Sequence, residues 1–155
     1  MSGTQMSGTQ ISADRRTETV QLVIPCRAEY VGVARLTILG ITSRIPFSYD
    51  EVEDIRLAVG EACTHAVGRA GTDTATIRIT SMLDTVALTI EVADNIAETD
   101  KAAPSEEARL LEEAGVDQAG LGALLMEILV DEVKIDTSPT GTTVLLTKYT
   151  PEQSH

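Results

Sequence analysis

The stretch Val52–Val67, VEDIRLAVGEACTHAV, decides how this 155-residue chain is organised. Its apolar residues recur three and four positions apart, which is typical of a helix with one buried face: Val52, Ile55, Val59, Ala62 and Ala66. Ser48 or Asp50 stands in front of this stretch as a helix cap. On the opposite stripe, Glu61 and His65 lie one turn apart. The sequence therefore predicts a rigid helix on which a carboxylate and an imidazole project from the same face.

The segments on either side of this helix predict a two-layer α+β fold. Apolar residues alternate with polar ones in the strand segments and recur at helical spacing in the helix segments. In chain order, the other predicted elements are a strand at 19–25, a helix within 29–45, a strand pair at 74–82 and 85–94, a helix at 120–133 and a final hairpin at 133–149. Such elements most simply form a mostly antiparallel sheet that helices cover on one face. In the last helix, five apolar residues are expected in the core: Leu124, Leu125, Met126, Ile128 and Leu129.

Two segments stand outside this pattern. Residues 1–10 repeat MSGTQ, and small polar residues cannot bury enough surface to offset their ordering entropy. We therefore expect residues 1–16 to be a disordered tail and residues 17–150 to be one folded domain. The segment Asn95–Ala119 lacks strand character, and within it PSEEARLLEEAG carries start and stop signals for a short helix. Connections of this length are usually functional or mobile.

Composition excludes several classes of function. The chain has 24 acidic and 12 basic residues, a net charge of -12, and this charge repels nucleic acid and anionic membranes. The apolar runs are too short to span a bilayer and the amino terminus lacks a signal pattern, so we expect a cytoplasmic protein. Cys26 and Cys63 do not form a CxxC pair, and they are predicted to be buried, reduced thiols.

Three features could belong to one site. The first is Glu61 with His65, the second is Asp94 at the predicted end of a strand, and the third is the Gly120-Leu-Gly122 motif at a helix start. A helix start opened by glycines offers free N–H groups and a positive dipole to a phosphate. A carboxylate can hold the amino group of a base or act as a general base. Each feature also has an ordinary interpretation, namely a solvated helix carboxylate, a turn aspartate and a common helix entry.

Taken in this order, the motifs resemble those of the anti-sigma factor and protein-serine kinase family typified by RsbW and SpoIIAB. This family is part of the ATPase superfamily shared by gyrase, MutL and sensor histidine kinases. Val52–Val67 matches the family's helix with its E-A-x-x-N-A box, and Ala119–Lys148 matches the second glycine box with its helix and final hairpin. The resemblance runs from about Val20 to Tyr149 and implies the histidine-kinase-like ATPase fold.

The resemblance also implies a set of roles. ATP and Mg²⁺ would be the cofactors, and a sigma factor and a STAS-type anti-anti-sigma protein would be the partners of a homodimer. Carried over residue by residue, Glu61 would be the catalytic carboxylate, Asp94 would recognise adenine, and Gly120 and Gly122 would line the phosphates. The segment Asn95–Ala119 would be the ATP lid. The remaining roles fall to Thr143 near the adenine, to Lys101 and Arg109 as lid contacts to the γ-phosphate, and to His65 at the place of the metal ligand.

The sequence departs from the family pattern in ways that leave the activity open. His65 replaces the Asn that supplies an oxygen to Mg²⁺, and Mg²⁺ prefers oxygen ligands. Ile96 and Glu98 replace both glycines of the first glycine box, where glycine permits a close approach to the nucleotide. His65 either lines the cleft without a metal role or retains one at the nucleotide. The chain is accordingly a kinase and anti-sigma factor, a binding regulator with impaired nucleotide chemistry, or a dimeric signalling scaffold.

Overall fold

Alternating apolar residues fold five segments of the chain into one antiparallel sheet. The computed structural model describes residues 17–151. The predicted tail at 1–16 lies outside the described residues. The elements, in chain order, are β1 (Glu18–Pro25), α1 (Val31–Thr42), α2 (Tyr49–Arg69), β2 (Thr76–Leu83), β3 (Ala87–Asp94), α3 (Glu106–Glu113), α4 (Gln118–Leu129), β4 (Glu132–Ser138) and β5 (Gly141–Tyr149). Short 3-10 turns lie at Ala28–Tyr30 and Glu98–Asp100.

The sheet has the strand order β1-β2-β3-β5-β4, and every neighbouring pair is antiparallel. Helices cover one face of the sheet, and burial therefore alternates along β2, β3 and β5. The buried side chains of this face include Ile77, Ile79, Leu88, Ile90, Val92, Val144 and Leu146. The predicted α+β class, with helices on one face of an antiparallel sheet, is confirmed.

Helix α2 occupies the centre of the helix layer, packed against α1 on one side and α4 on the other. A capping box fixes its start, because Ser48 Oγ accepts from the Glu51 N–H at 3.1 Å while the Glu51 carboxylate accepts from the Ser48 N–H at 2.8 Å. Four of the five predicted core positions are buried: Ile55, Val59, Ala62 and Ala66. The fifth, Val52, is half-buried.

Helix α4 lies at the outer flank of the helix layer. It begins at Gln118, two residues before the predicted start. Met126 is buried and Leu129 is half-buried, but the prediction of core positions is wrong for three other residues: Leu124, Leu125 and Ile128. They are exposed because α4 packs through one face onto α2, with further contacts to β4 and α3, and the opposite face has no neighbour among the described elements.

The segment after β3 is joined to the end of α2. The N–H of Gly71 donates to the carbonyl of Asp100 at 3.0 Å, and the N–H of Ala102 donates to the carbonyl of Arg69 at 2.9 Å. Gly71 permits this approach, because a Cβ there would lie 2.5 Å from the Asp100 carbonyl oxygen. The short helix predicted in this segment is present as α3, and Ser105 caps it by accepting from the Ala108 N–H.

Both cysteines are free and lie in the core, as predicted. Burial raises the pKa of the Cys63 thiol to about 12 and that of the Cys26 thiol to about 11. The neighbouring Asp94 carboxylate contributes to the raised pKa of Cys26 in the same direction as burial. Within residues 17–151, no helix combines the length and apolar character needed to cross a membrane.

Candidate functional site

The polar stripe of α2 contains three polar side chains at intervals of four residues: Glu61, His65 and Arg69. This spacing places them one above the other on a single helix face. The Nε2 of His65 lies 2.8 Å from the Oε2 of Glu61, and both side chains are about 70% buried. An imidazole N–H donates to the carboxylate here whether or not the ring is charged. The structure therefore holds the predicted catalytic carboxylate in a fixed orientation.

Helix α4 brings Gly122 directly against this pair. A Cβ on Gly122 would collide with His65 Nε2 and would lie 3.0 Å from Glu61 Oε2. Only glycine fits at this position while His65 and Glu61 stay where they are. Gly120 is exposed instead, and its nearest side chain is that of Asp117, where a Cβ would lie 2.6 Å from Oδ2. Of the two glycines predicted at the phosphates, the structure brings one to the Glu61–His65 pair.

Asp94 ends β3 with its side chain 97% buried beneath the helix layer. Its Oδ2 accepts from Arg69 Nη1 at 3.0 Å. Its Oδ1 accepts from the backbone N–H groups of Ile96 at 3.0 Å and Thr142 at 3.2 Å. A buried carboxylate requires such partners, since an unpaired buried charge is costly. Arg69 thus occupies the oxygen of Asp94 that the backbone leaves free.

Strand β5 places Thr142, rather than Thr143, beside Asp94. Thr142 is buried on the helix-covered face, and its Oγ1 lies 3.4 Å from Arg69 Nη1. Thr143 points to the opposite face of the sheet, because successive side chains of a strand alternate. The structure does not bring the predicted Thr143 to this site.

Arg69 and Thr142 lie beside Asp94 although the sequence did not identify either of them as a site residue. The signal for Arg69 was present, since it stands four residues after His65 on the stripe that already contained Glu61. The signal for Thr142 was weaker. Two threonines are adjacent here, and only the phase of the strand determines which of them points to the helix-covered face.

The loop after Asp94 takes a conformation that needs no glycine. Ile96 is 98% buried in the core, and among residues 17–151 no residue other than glycine has positive φ. Glu98 pairs with Lys101 at 3.3 Å. Lys101 also forms an isolated bridge with Ala70 at the end of α2. The predicted γ-phosphate contact Lys101 is therefore already paired with a carboxylate, and the other, Arg109, is exposed on α3.

The donor set of this site suits an amino group or a hydroxyl better than a metal ion. Among the residues that the structure describes, no group of three or more His, Cys, Asp and Glu side chains could hold a metal. His65 could offer a metal only a nitrogen ligand, and its Nε2 is already hydrogen-bonded to Glu61. Since Mg²⁺ requires several oxygen ligands, the residues present do not fit it. The Asp94 carboxylate can accept a hydrogen bond from an amino group once Arg69 moves away from it.

Comparison with known proteins places these residues in a family context. Residues 24–148 match the family model of the histidine kinase-like ATPase domain. The serine-protein kinases RsbW of Bacillus thuringiensis (strain Al Hakam) and Bacillus cereus (strain AH820) are each 38% identical to this chain over 141 residues, with 86% of each chain covered. A solved structure of the RsbU and RsbW domains of Rv1364c from Mycobacterium tuberculosis superimposes with a TM-score of 0.65 at 16% identity. The match covers 87% of this chain and about a third (33%) of that one, and it supports the fold.

Proposed function

Because the chain belongs to the histidine kinase-like ATPase family and is related over most of its length to the serine-protein kinases RsbW, we propose that it is a partner-switching anti-sigma factor. It binds a sigma factor or a STAS-type anti-anti-sigma protein, and it phosphorylates a serine of the latter with ATP. The observation that supports this proposal is the position of Glu61, held by His65 against the glycine of α4.

Glu61 is the general base in this proposal. His65 donates to Oε2 and so fixes the carboxylate, while Oε1 is the oxygen that accepts the proton of the serine hydroxyl. Gly122 lets α4 pack closely against the pair because it has no side chain. ATP supplies the phosphoryl group when bound. The residues of this chain orient the base and bury about 70% of its side chain.

Two of the residues predicted to bind nucleotide, Asp94 and His65, are already paired with Arg69 and Glu61, and we infer that nucleotide affinity is low. The hydrogen bond from Arg69 to Asp94 must break before the carboxylate can accept one from adenine. His65 has no oxygen atom that could coordinate Mg²⁺. Binding of protein partners is then the principal activity, and phosphorylation is slow. These two pairs also favour the second candidate function, a regulator or dimeric scaffold that works without nucleotide chemistry.

Calorimetric titration with ADP and ATP, with and without Mg²⁺, tests this function. We expect weak binding that depends little on Mg²⁺ in the wild type. His65→Asn restores an oxygen ligand and should raise Mg²⁺-dependent ATP binding and serine phosphorylation, whereas His65→Ala removes the ring and should do neither. If the wild type phosphorylates its partner rapidly and His65→Asn slows it, then His65 itself takes part in catalysis and the assignment fails.

The partners can be identified by capture from extract of the native cells. We expect a STAS-type protein or a sigma factor, acting in the cytoplasm through protein contacts without nucleic acid or membrane. We also propose that the protein is a homodimer, which light scattering at several concentrations would test. Recovery of neither partner class at low salt would favour the scaffold function.

A further inference from the structure

Four large apolar side chains form a continuous exposed stripe along α4. Leu121, Leu124, Leu125 and Ile128 stand three and four positions apart, so they share one face of the helix. They are 59%, 53%, 42% and 72% exposed, respectively. We refer to these four residues as the α4 stripe. Exposed contiguous apolar surface of this kind marks interaction sites more often than ordinary protein surface.

The α4 stripe is separate from the nucleotide-facing site. Gly122 and Met126 lie on the buried face of α4, and Gly122 contacts the Glu61–His65 pair. The stripe faces outward at the flank of the helix layer, where α4 also contacts the edge strand β4. On that strand Ile135 is 47% exposed and lies on the helix-covered face of the sheet, opposite Val144 in register. The edge strand that α4 contacts therefore also carries an exposed apolar residue on this side of the sheet.

The charges of α4 and of the segments that flank it in the chain indicate what covers the α4 stripe. Between residues 105 and 132 the chain has a single basic residue, Arg109. The same span contains eight exposed acidic residues: Glu106, Glu107, Glu112, Glu113, Asp117, Glu127, Asp131 and Glu132. Two copies of this surface would bring acidic residues against acidic residues, which opposes association. A partner with basic residues beside its apolar contacts gains from the same charges.

We propose that the α4 stripe binds an amphipathic helix of a partner protein, with apolar residues at i, i+3, i+4 and i+7 flanked by Lys and Arg. Helices recognise apolar surfaces through residues at this spacing. The apolar contacts supply affinity, and the acidic border selects a basic partner over an acidic one. The proposal goes beyond the function given above, because this contact needs no nucleotide and uses none of the residues of the Glu61–His65 and Arg69–Asp94 pairs.

The test uses the full chain and two synthetic helical peptides that share one Leu pattern. One peptide carries Lys at its polar positions, and the other carries Glu. Fluorescence anisotropy measures their binding to wild type, to Leu124→Ser/Ile128→Ser, and to the matched control Leu36→Ser/Leu39→Ser on α1. The control removes two apolar side chains that are 64% and 39% exposed, outside the α4 stripe. Circular dichroism verifies that each variant folds.

We expect the Lys peptide to bind the wild type and the α1 control alike, and to bind the α4 variant about tenfold more weakly or worse. The affinity should fall with added salt, and the Glu peptide should not bind. Equal binding of the Lys peptide to both double variants would overturn the proposal, as would binding of the Glu peptide.

Sedimentation decides the remaining alternative: if Leu124→Ser/Ile128→Ser converts a wild-type dimer into a monomer, the stripe binds a second copy instead. ADP titration of the α4 variant should match wild type, which separates this test from that of the nucleotide site.

Discussion

Replacing Arg69 with Gln tests two effects of the Arg69–Asp94 ion pair: its contribution to the stability of the protein and its competition with a nucleotide for the Asp94 carboxylate. Removing one partner of a fully buried ion pair costs about 3–5 kcal/mol. Arg69 is 28% exposed, and Asp94 keeps two backbone donors at 3.0 and 3.2 Å, so the cost here is smaller. We expect the free energy of unfolding of Arg69→Gln to fall by about 2 kcal/mol.

The same substitution should improve binding of ADP. In the wild type the nucleotide must displace a charge-assisted hydrogen bond of 3.0 Å, an interaction worth about 1.5–3 kcal/mol. Without this competitor we expect ADP to bind about tenfold more tightly, since a factor of ten corresponds to about 1.4 kcal/mol. Urea denaturation measures the first effect and isothermal titration calorimetry the second. Arg109→Gln, an exposed change on α3, is the control and should alter stability by less than about 0.5 kcal/mol. A lower ADP affinity in Arg69→Gln with unchanged stability would refute the argument, because Arg69 would then bind the nucleotide itself.

Three further predictions concern packing, thiol chemistry and the amino terminus. Gly68→Ala adds a methyl group at a helical position where no atoms lie nearby, and it should raise the free energy of unfolding by about 0.5–1 kcal/mol. The free energy of unfolding of Gly122→Ala should be about 1–2 kcal/mol lower than that of Gly68→Ala, because its methyl group displaces the His65 imidazole. Equal gains in thermal melts would show that the α2–α4 contact is loose. The pKa values of Cys26 and Cys63, about 11 and 12, exceed the unfolded value of 9.0, so their contribution to stability is complete below pH 9 and is lost as the pH rises through 11 and 12. Denaturation midpoints between pH 8 and 11 measure this loss, and a midpoint that rises with pH would contradict it. Deleting residues 1–14 should leave the melting temperature unchanged, and unfolding of the truncated chain would show that the domain begins earlier.

The sequence alone determined the elements of this fold and the pairing of a carboxylate with an imidazole on α2. Helix α2 follows from local information, namely apolar residues at helical spacing and the cap at Ser48. The hairpins follow from alternation and turn residues, which act over a few positions. Glu61 and His65 were placed together for the same reason, because residues four apart on a helix are always neighbours.

Only the tertiary structure decided which groups meet across elements. Arg69 and Asp94 are 25 residues apart in the chain, and their ion pair exists because β3 ends beneath the last turn of α2. The phase of β5 places Thr142 rather than Thr143 at the site. The apolar residues of α4 were expected in the core, since apolar character predicts burial without saying what covers a helix. The sheet ends at β4 and leaves α4 at the flank, so one of its two apolar faces stays exposed. Periodicity is a property of the chain, whereas the number of neighbours of a helix is a property of the assembled layers.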